Sequence, residues 1–267
     1  MMEGIIGVER CPIYLKPALD SVYADEGIYG MGCRVVGNES DFYVVEMEYG
    51  YRGYILKADF QPCSLDVWQS KRNALVISPS ADVLPEPTYK GAPKRTLPRG
   101  AYVILNGESQ IAGWVEIELA DGILGFMRVE WLRDMRGILD RSESDQREAV
   151  VQDAKRYLGT IYKWGGKTPL GIDCSGLTFM AYWLNGLSIY RDAKIVEGFA
   201  IRSIAEEKMA LADLLYYEGH VVLYLGNGLF IHSKGGCGGV IIHSLNLDDP
   251  LYSPLNNQVL LAVGSYF

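Results

Sequence analysis

Five cysteines and three histidines carry most of the reactive chemistry of this 267-residue chain. The cysteines stand at 11, 33, 63, 174 and 237, an odd number with no CxxC pair of the kind used by zinc or redox sites. Cys11, Cys33 and Cys63 read as reduced thiols buried as small hydrophobes. Cys174 has a different setting. Glycines and a proline lead into Asp173-Cys174-Ser175-Gly176-Leu177, and Leu177, Thr178, Ala181, Tyr182 and Leu184 follow at helical spacing until Asn185-Gly186. A thiol in the first turn of a helix faces the positive end of the dipole and free amides, which lowers its pKa and favours the thiolate. The small neighbours Ser175 and Gly176 leave the sulfur accessible.

A nucleophilic cysteine needs a base within hydrogen-bond reach. All three histidines lie downstream of Cys174. His220 opens the run His220-Val221-Val222-Leu223-Tyr224-Leu225-Gly226, and His232 follows the turn Gly226-Asn227-Gly228 in Phe230-Ile231-His232-Ser233. Two antiparallel strands joined there place both rings on neighbouring positions of one sheet. With Cys174 on a helix facing them, this is triad geometry: His220 takes the thiol proton and His232 fixes its tautomer. The bland alternatives are a buried helix thiol, core histidines satisfied in their strands, and a metal shared by Cys174, His220 and His232. The last lacks any paired ligand spacing. His243, in Val240-Ile241-Ile242-His243-Ser244, reads as structural. The run Gly235 to Gly239 reads as a turn near the site, and Cys237 within it receives no role. Gly166-Lys167-Thr168 imitates the end of a phosphate loop, but Ile161 stands where that motif needs its first glycine, so nucleotide binding is discounted.

The elements that position these groups fall in two regions. Residues 1 to about 140 read as β structure: short β-branched and aromatic runs such as Phe42 to Met47, Tyr102 to Leu105 and Trp114 to Leu119, separated by turns at Asn38-Glu39, Asn106-Gly107 and Asp121-Gly122. An internal repeat relates Gly53 to Phe60 with Gly125 to Leu132, 72 residues on. Each copy closes a run of strands, so two tandem barrels are expected, over 1–70 and 71–136, with the Pro-rich stretch Pro85 to Pro98 as a surface loop. A linker follows at 137–143. Ser144 offers an N-cap, and Arg147, Val150, Val151, Ala154, Tyr157 and Leu158 keep helical spacing until Gly159. Strands are expected over Val221 to Leu225, Phe230 to His232, Val240 to His243 and Val259 to Val263. Helices first and an antiparallel sheet after make 137–267 an α+β domain.

Asp-Cys-Ser-Gly-Leu after Trp164-Gly165-Gly166, then His-Val-Val-Leu-Tyr-Leu-Gly, then Ile-His-Ser, in this order over about 145–267, resembles the NlpC family of cell-wall cysteine peptidases. The resemblance implies a papain-like catalytic domain that hydrolyses γ-D-glutamyl bonds in murein peptides. The family's tyrosine twelve residues before the cysteine matches Tyr162, which would help bind the oxyanion beside the Cys174 N–H. The pattern around Gly113 to Met127 resembles the bacterial SH3-like barrel. Two such barrels before the catalytic domain resemble the members of the family that trim free murein peptides at the γ-D-glutamyl–diamino acid bond and require an unblocked N-terminal L-Ala. By that resemblance the substrate-binding set is Asp173, Ser175, Arg191, Asp192, Tyr51 and Trp164. Asp173 and Asp192 read the ammonium, and Tyr51, in Gly50-Tyr51-Arg52-Gly53, closes the pocket. Three positions depart from the pattern: Ala193 replaces a serine after Arg-Asp, Met31 an acidic residue, and Ala212 the glycine of Gly-Asp-Leu.

The formal net charge is −8, which argues against nucleic acid and anionic membrane surfaces as partners. No segment has the roughly 18 uninterrupted apolar residues of a membrane span, and the first residues lack a basic n-region and an apolar h-region, so a cytoplasmic location is expected. No cofactor or metal is expected; the expected partner is the murein-derived peptide. The competing functions are a murein-peptide binding module with a degenerate catalytic domain, and a papain-like amidase or acyltransferase.

Overall fold

The repeat seen in the sequence is a repeat of local structure. Arg52–Leu56 is a strand, Lys57–Asp59 a 3-10 turn and Phe60–Pro62 a second strand. Seventy-two residues later Leu124–Arg128, Val129–Trp131 and Leu132–Asp134 repeat strand, turn and strand. This computed structural model describes residues 2–107, 111, 113–255 and 259–267. The chain divides into two compact units, Met1–Arg136 and Gly137–Phe267.

The first unit is β-rich. Seven strands between Glu3 and Pro62 pair in the order Tyr23–Ile28, Arg10–Tyr14, Arg52–Leu56, Phe42–Met47, Gly32–Glu39, Glu3–Ile6 and Phe60–Pro62. Five between Ala74 and Asp134 pair in the order Leu124–Arg128, Trp114–Glu118, Tyr102–Leu105, Ala74–Val76 and Leu132–Asp134. A short helix, Leu65–Lys71, separates the two sets and buries Leu65 and Trp68. The Pro-rich stretch is not a loop throughout. Its end, Arg95–Pro98, pairs antiparallel with Ser80–Val83, because a proline at a strand end removes no donor that the ladder needs there.

The second unit holds two helices and a six-stranded sheet, with the later helix packed against the sheet and the earlier one packed on the later. Its first helix spans Glu143–Lys155 and is capped by the Ser142 hydroxyl, which accepts from the Asp145 N–H at 3.2 Å. The cap is therefore Ser142, not Ser144. Both serines offer the chemistry, and the turn Ile138–Asp140 delivers the earlier one. The second helix spans Cys174–Trp183. All ten of its residues are buried, so its apolar spacing marks a helix enclosed on every side and not an amphipathic stripe. The sheet runs Arg202–Ile204, Ala262–Ser265, Leu214–Tyr217, His220–Gly226, Leu229–Lys234 and Gly239–Ser244, each neighbouring pair antiparallel. Leu214–Tyr217 and Arg202–Ile204 are additions to the sequence-based strands. The final strand lies at Ala262–Ser265, a few residues beyond the apolar run expected at Val259 to Val263. Leu215, Tyr217, Val222, Phe230 and Leu255 form an apolar cluster in this unit.

Candidate active site

The nucleophile helix starts where an acidic side chain closes its first turn. Asp173 is the N-cap, and its carboxylate accepts from the Gly176 N–H at 2.6 Å and from the Gly165 N–H at 2.7 Å. Gly176 has to be glycine for a packing reason: a Cβ there would lie 2.2 Å from the Gly166 carbonyl oxygen. The Gly165-Gly166 segment thus lies tight against the helix start and leaves Cys174 at the first helical position.

Cys174 is 7% exposed. Its sulfur is held by backbone hydrogen bonds from Ser175 and from Val221, the residue after His220. Burial pushes the thiol up to about 11, and the Asp173 carboxylate adds to the rise, whereas the two amides and Arg191 only partly oppose it. The expectation of a lowered pKa is therefore corrected. Taking the thiolate out of water at this depth outweighs the helix terminus, whose first-turn amide at Gly176 is already engaged by Asp173.

Three imidazoles form a column on one face of the sheet. Leu223 pairs with Ile231 and His232 with Ile241, which sets His220, His232 and His243 on three adjacent strands with their side chains to the same side. His220 Nε2 lies 2.9 Å from His232 Nδ1, and His232 Nε2 lies 3.0 Å from His243 Nδ1. His232 has no exposed surface, and Phe230 meets its ring edge-on at 5.1 Å. Burial holds His220 down to about 4, with Lys234 adding to the effect. It holds His232 down to about 3, with repulsion from His220, His243 and Lys234 adding to it. All three rings are thus neutral near pH 7. Since Nε2 of His220 is engaged by His232, Nδ1 is the nitrogen left to serve as a base. A free Nδ1 requires N–H at Nε2 of His220, which in turn requires N–H at Nε2 of His232, donated to His243. The column accommodates protons running in either direction, and a free Nδ1 on His220 selects this one.

Sequence reasoning missed His243 as a member of this column. The signal was present: folding the chain back over the glycine run at 235–239 puts His243 diagonal to His232. The fixed point of that fold could not be read from five residues of which four are glycine.

The remaining site residues divide sharply. Tyr162 is half-buried and pairs in a short parallel bridge with Ile172. Burial and the charges of Cys174 and Asp173 raise its hydroxyl to about 12, so it stays a neutral donor. Asp173 and Arg191 are both buried and paired with each other. Arg191 is 1% exposed and grips both carboxylate oxygens of Asp173 at 3.2 Å, while its Nη1 donates to Ser175 Oγ at 2.7 Å. The Asp173 carboxylate already serves two backbone amides and a guanidinium. Asp173, Arg191 and Ser175 thus form a buried network that holds the nucleophile's first turn. Asp192 is only half-buried and hydrogen-bonds the Tyr190 side chain. Trp164 is 62% exposed. Tyr51 belongs to the first compact unit, where it is buried and its carbonyl accepts from the Met47 N–H. Among the described residues, no helix is long and apolar enough to cross a membrane.

A thiol at a helix start beside a neutral imidazole column is the equipment of a thiol-dependent hydrolase. Comparison with known proteins agrees. The model of the NlpC/P60 family matches residues 159–254, and the dipeptidyl-peptidase 6 of Lysinibacillus sphaericus is 38% identical over 272 residues, covering the whole of both chains. The chain belongs to the NlpC/P60 family, and it is a cysteine peptidase that acts on cell-wall peptides. A γ-D-glutamyl-L-lysine dipeptidyl-peptidase of Bacillus cereus is 31% identical over 128 residues, which are 43% of this chain and 38% of that one. A solved NlpC/P60 family protein from Bacillus cereus shares the fold, with a TM-score of 0.76, 19% identity and 99% coverage of both chains.

Proposed function

We propose that this peptidase cleaves the γ-D-glutamyl–diamino acid bond of murein peptides that carry a free N-terminal L-Ala. The observation that carries the proposal is the full-length similarity to a dipeptidyl-peptidase, which extends through the β-rich first unit as well as the catalytic one. A shared catalytic unit alone would fit any peptidase of the family. Similarity that also runs through the β-rich first unit fits a peptidase that recognises its substrate in the same way. We read that first unit as two SH3-like barrels, 1–70 and 71–136.

In the proposed mechanism Cys174 and His220 start as a neutral thiol and imidazole. As the sulfur attacks the γ-carbonyl carbon, its proton passes to Nδ1 of His220. The resulting imidazolium is stabilised through His232, whose Nδ1 accepts from Nε2 of His220. The oxyanion is met by the Cys174 N–H and the Tyr162 hydroxyl. His220 then returns the proton to the departing amine of the diamino acid, leaving a thioester on Cys174. Water, deprotonated by His220, hydrolyses it. With Asp173 engaged by Arg191, the half-buried Asp192 is the carboxylate assigned to the L-Ala ammonium.

Purified protein should convert L-Ala-γ-D-Glu-diamino acid to the dipeptide and the free diamino acid, as read by mass spectrometry. Cys174→Ala should abolish turnover. Turnover surviving in that variant would overturn the nucleophile, and equal cleavage of the N-acetylated peptide would overturn the amine requirement.

A further inference from the structure

The outer end of the imidazole column meets a cysteine to which the proposed reaction gives no work. Cys237 ends the turn Gly235–Cys237 that joins the His232 and His243 strands, and it is exposed. The ligand atoms of His232, His243 and Cys237 all lie within 4.8 Å of one another. We propose that these three residues bind a borderline divalent cation of the Zn2+ class, and that binding switches the peptidase off by inverting the tautomer chain. The binding stands on its own; the inhibitory consequence rests on the proposed roles of Cys174 and His220.

The donor set is right for such an ion. Two imidazole nitrogens and one thiolate sulfur, with water in a fourth position, make a tetrahedral site of mixed nitrogen and sulfur donors. Zinc bonds of about 2.0–2.1 Å to nitrogen and about 2.3 Å to sulfur imply ligand atoms roughly 3.3–3.7 Å apart. The two ring nitrogens, at 3.0 Å, need to open by a few tenths of an ångström, and the sulfur needs to close in. The loop can supply that movement, since a Cβ at Gly236 or at Gly238 would meet nothing within 4 Å. Lys234 is a nearby positive charge that weakens the site. The thiolate formed on binding opposes it.

The consequence follows from the proton balance. A cation on His232 Nε2 displaces the proton held there. His232 then carries its proton on Nδ1 and donates to Nε2 of His220, the reverse of the resting hydrogen bond. His220 keeps one proton, now on Nδ1, where the Cys174 proton would have gone. His243 keeps its Nε2–H and binds through Nδ1. One net proton leaves to solvent, from the Cys237 thiol. The base is thereby filled by a proton rather than blocked by bulk.

The test uses full-length protein and Zn2+ or Co2+ as probes. In Cys174→Ala, which removes the nucleophile as a rival ligand, one equivalent of Zn2+ should bind with release of one proton. Co2+ should show a thiolate charge-transfer band and tetrahedral d–d absorption. Adding Cys237→Ser to that background should weaken binding at least tenfold and remove the charge-transfer band. In the active protein, Zn2+ should inhibit reversibly, and Cys237→Ser should raise the inhibitory concentration at least tenfold while leaving turnover in EDTA unchanged. Binding that is absent in Cys174→Ala or indifferent to Cys237→Ser overturns the site. Inhibition undiminished in Cys237→Ser places the metal on Cys174 and overturns the switch. Absence of turnover in EDTA counts against the proposed function alone, because the titration and the cobalt spectrum do not depend on activity.

Discussion

Arg191 and Asp173, eighteen residues apart, form a buried ion pair at 3.2 Å whose acidic member caps the helix that begins with the nucleophile. The guanidinium is 1% exposed and also holds Ser175. The pair is therefore part of how the fold fixes the sulfur.

Removing one partner of such a pair strands the other in the interior. Arg191→Met is expected to lower stability by about 3–5 kcal/mol, as for other broken buried pairs. Urea unfolding monitored by tryptophan fluorescence measures it. Arg191→Lys should lose less stability than Arg191→Met; equal losses would show that the charge on Asp173 is not what the arginine compensates.

The carboxylate proposed above to read the ammonium is Asp192. Asp192→Asn is expected to raise KM for the free-amine tripeptide about tenfold or more, with a smaller change in kcat and little change in melting temperature. The same substitution should leave the residual cleavage of an N-acetylated peptide unaltered. Steady-state kinetics on both peptides separates these outcomes, and an equal effect on both would remove Asp192 from amine recognition.

His243 acts through His232. Its Nδ1 accepts the proton that must sit on His232 Nε2 if His220 is to keep Nδ1 free. In EDTA, His243→Leu should lower kcat about tenfold with KM nearly unchanged, and His243→Asn, whose amide oxygen can accept the same hydrogen bond, should recover most of that loss. Loss of kcat that Asn fails to recover would make His243 a packing residue.

The pH dependence follows from burial. His220 is held at about 4 and His232 at about 3, against about 6.5 for an exposed ring. Below pH 6.5 the unfolded chain takes up these protons, while the folded one does not until pH 4 and below. The stability these rings contribute is thus present above about 6.5 and lost as pH falls towards 3. Urea midpoints in EDTA should fall between pH 7 and pH 4.5, and His232→Asn should flatten that slope. The acid limb of kcat/KM for the free enzyme should lie well below 6.5; a limb near 6.5 would mean that His220 titrates as an exposed imidazole.

Ala212 adopts φ +68°, in the left-handed region, with its N–H on the Tyr224 carbonyl and its own carbonyl on the Tyr182 hydroxyl. Both bonds fix the conformation that a Cβ resists, at a cost of roughly 1–2 kcal/mol. Ala212→Gly should therefore raise stability by about 1 kcal/mol, measured as a shift in the urea midpoint, with turnover unchanged.

Much of the active site was legible in the chain. Cys174 in the first turn of a helix and the two histidines on strands joined by Gly226 to Gly228 are local patterns: a helix start is set by neighbours in sequence, and a hairpin's register follows from its turn. The strand–turn–strand repeat was visible for the same reason. Boundaries were less so, as at Ser142 against Ser144, where two residues offer the same cap.

What the sequence determined by itself is which groups could react, because residue type and short-range spacing place a thiol at a helix start and rings along a strand. Tertiary structure alone decided how those groups are charged and what they hold. Burial, which no local pattern encodes, overrode the helix terminus at Cys174 and kept the imidazoles neutral. Long-range packing turned Arg191 inward onto Asp173, and the pairing of the last hairpin brought His243 behind His232. Desolvation and contacts between distant residues are properties of the closed fold, so they enter only when the chain has folded.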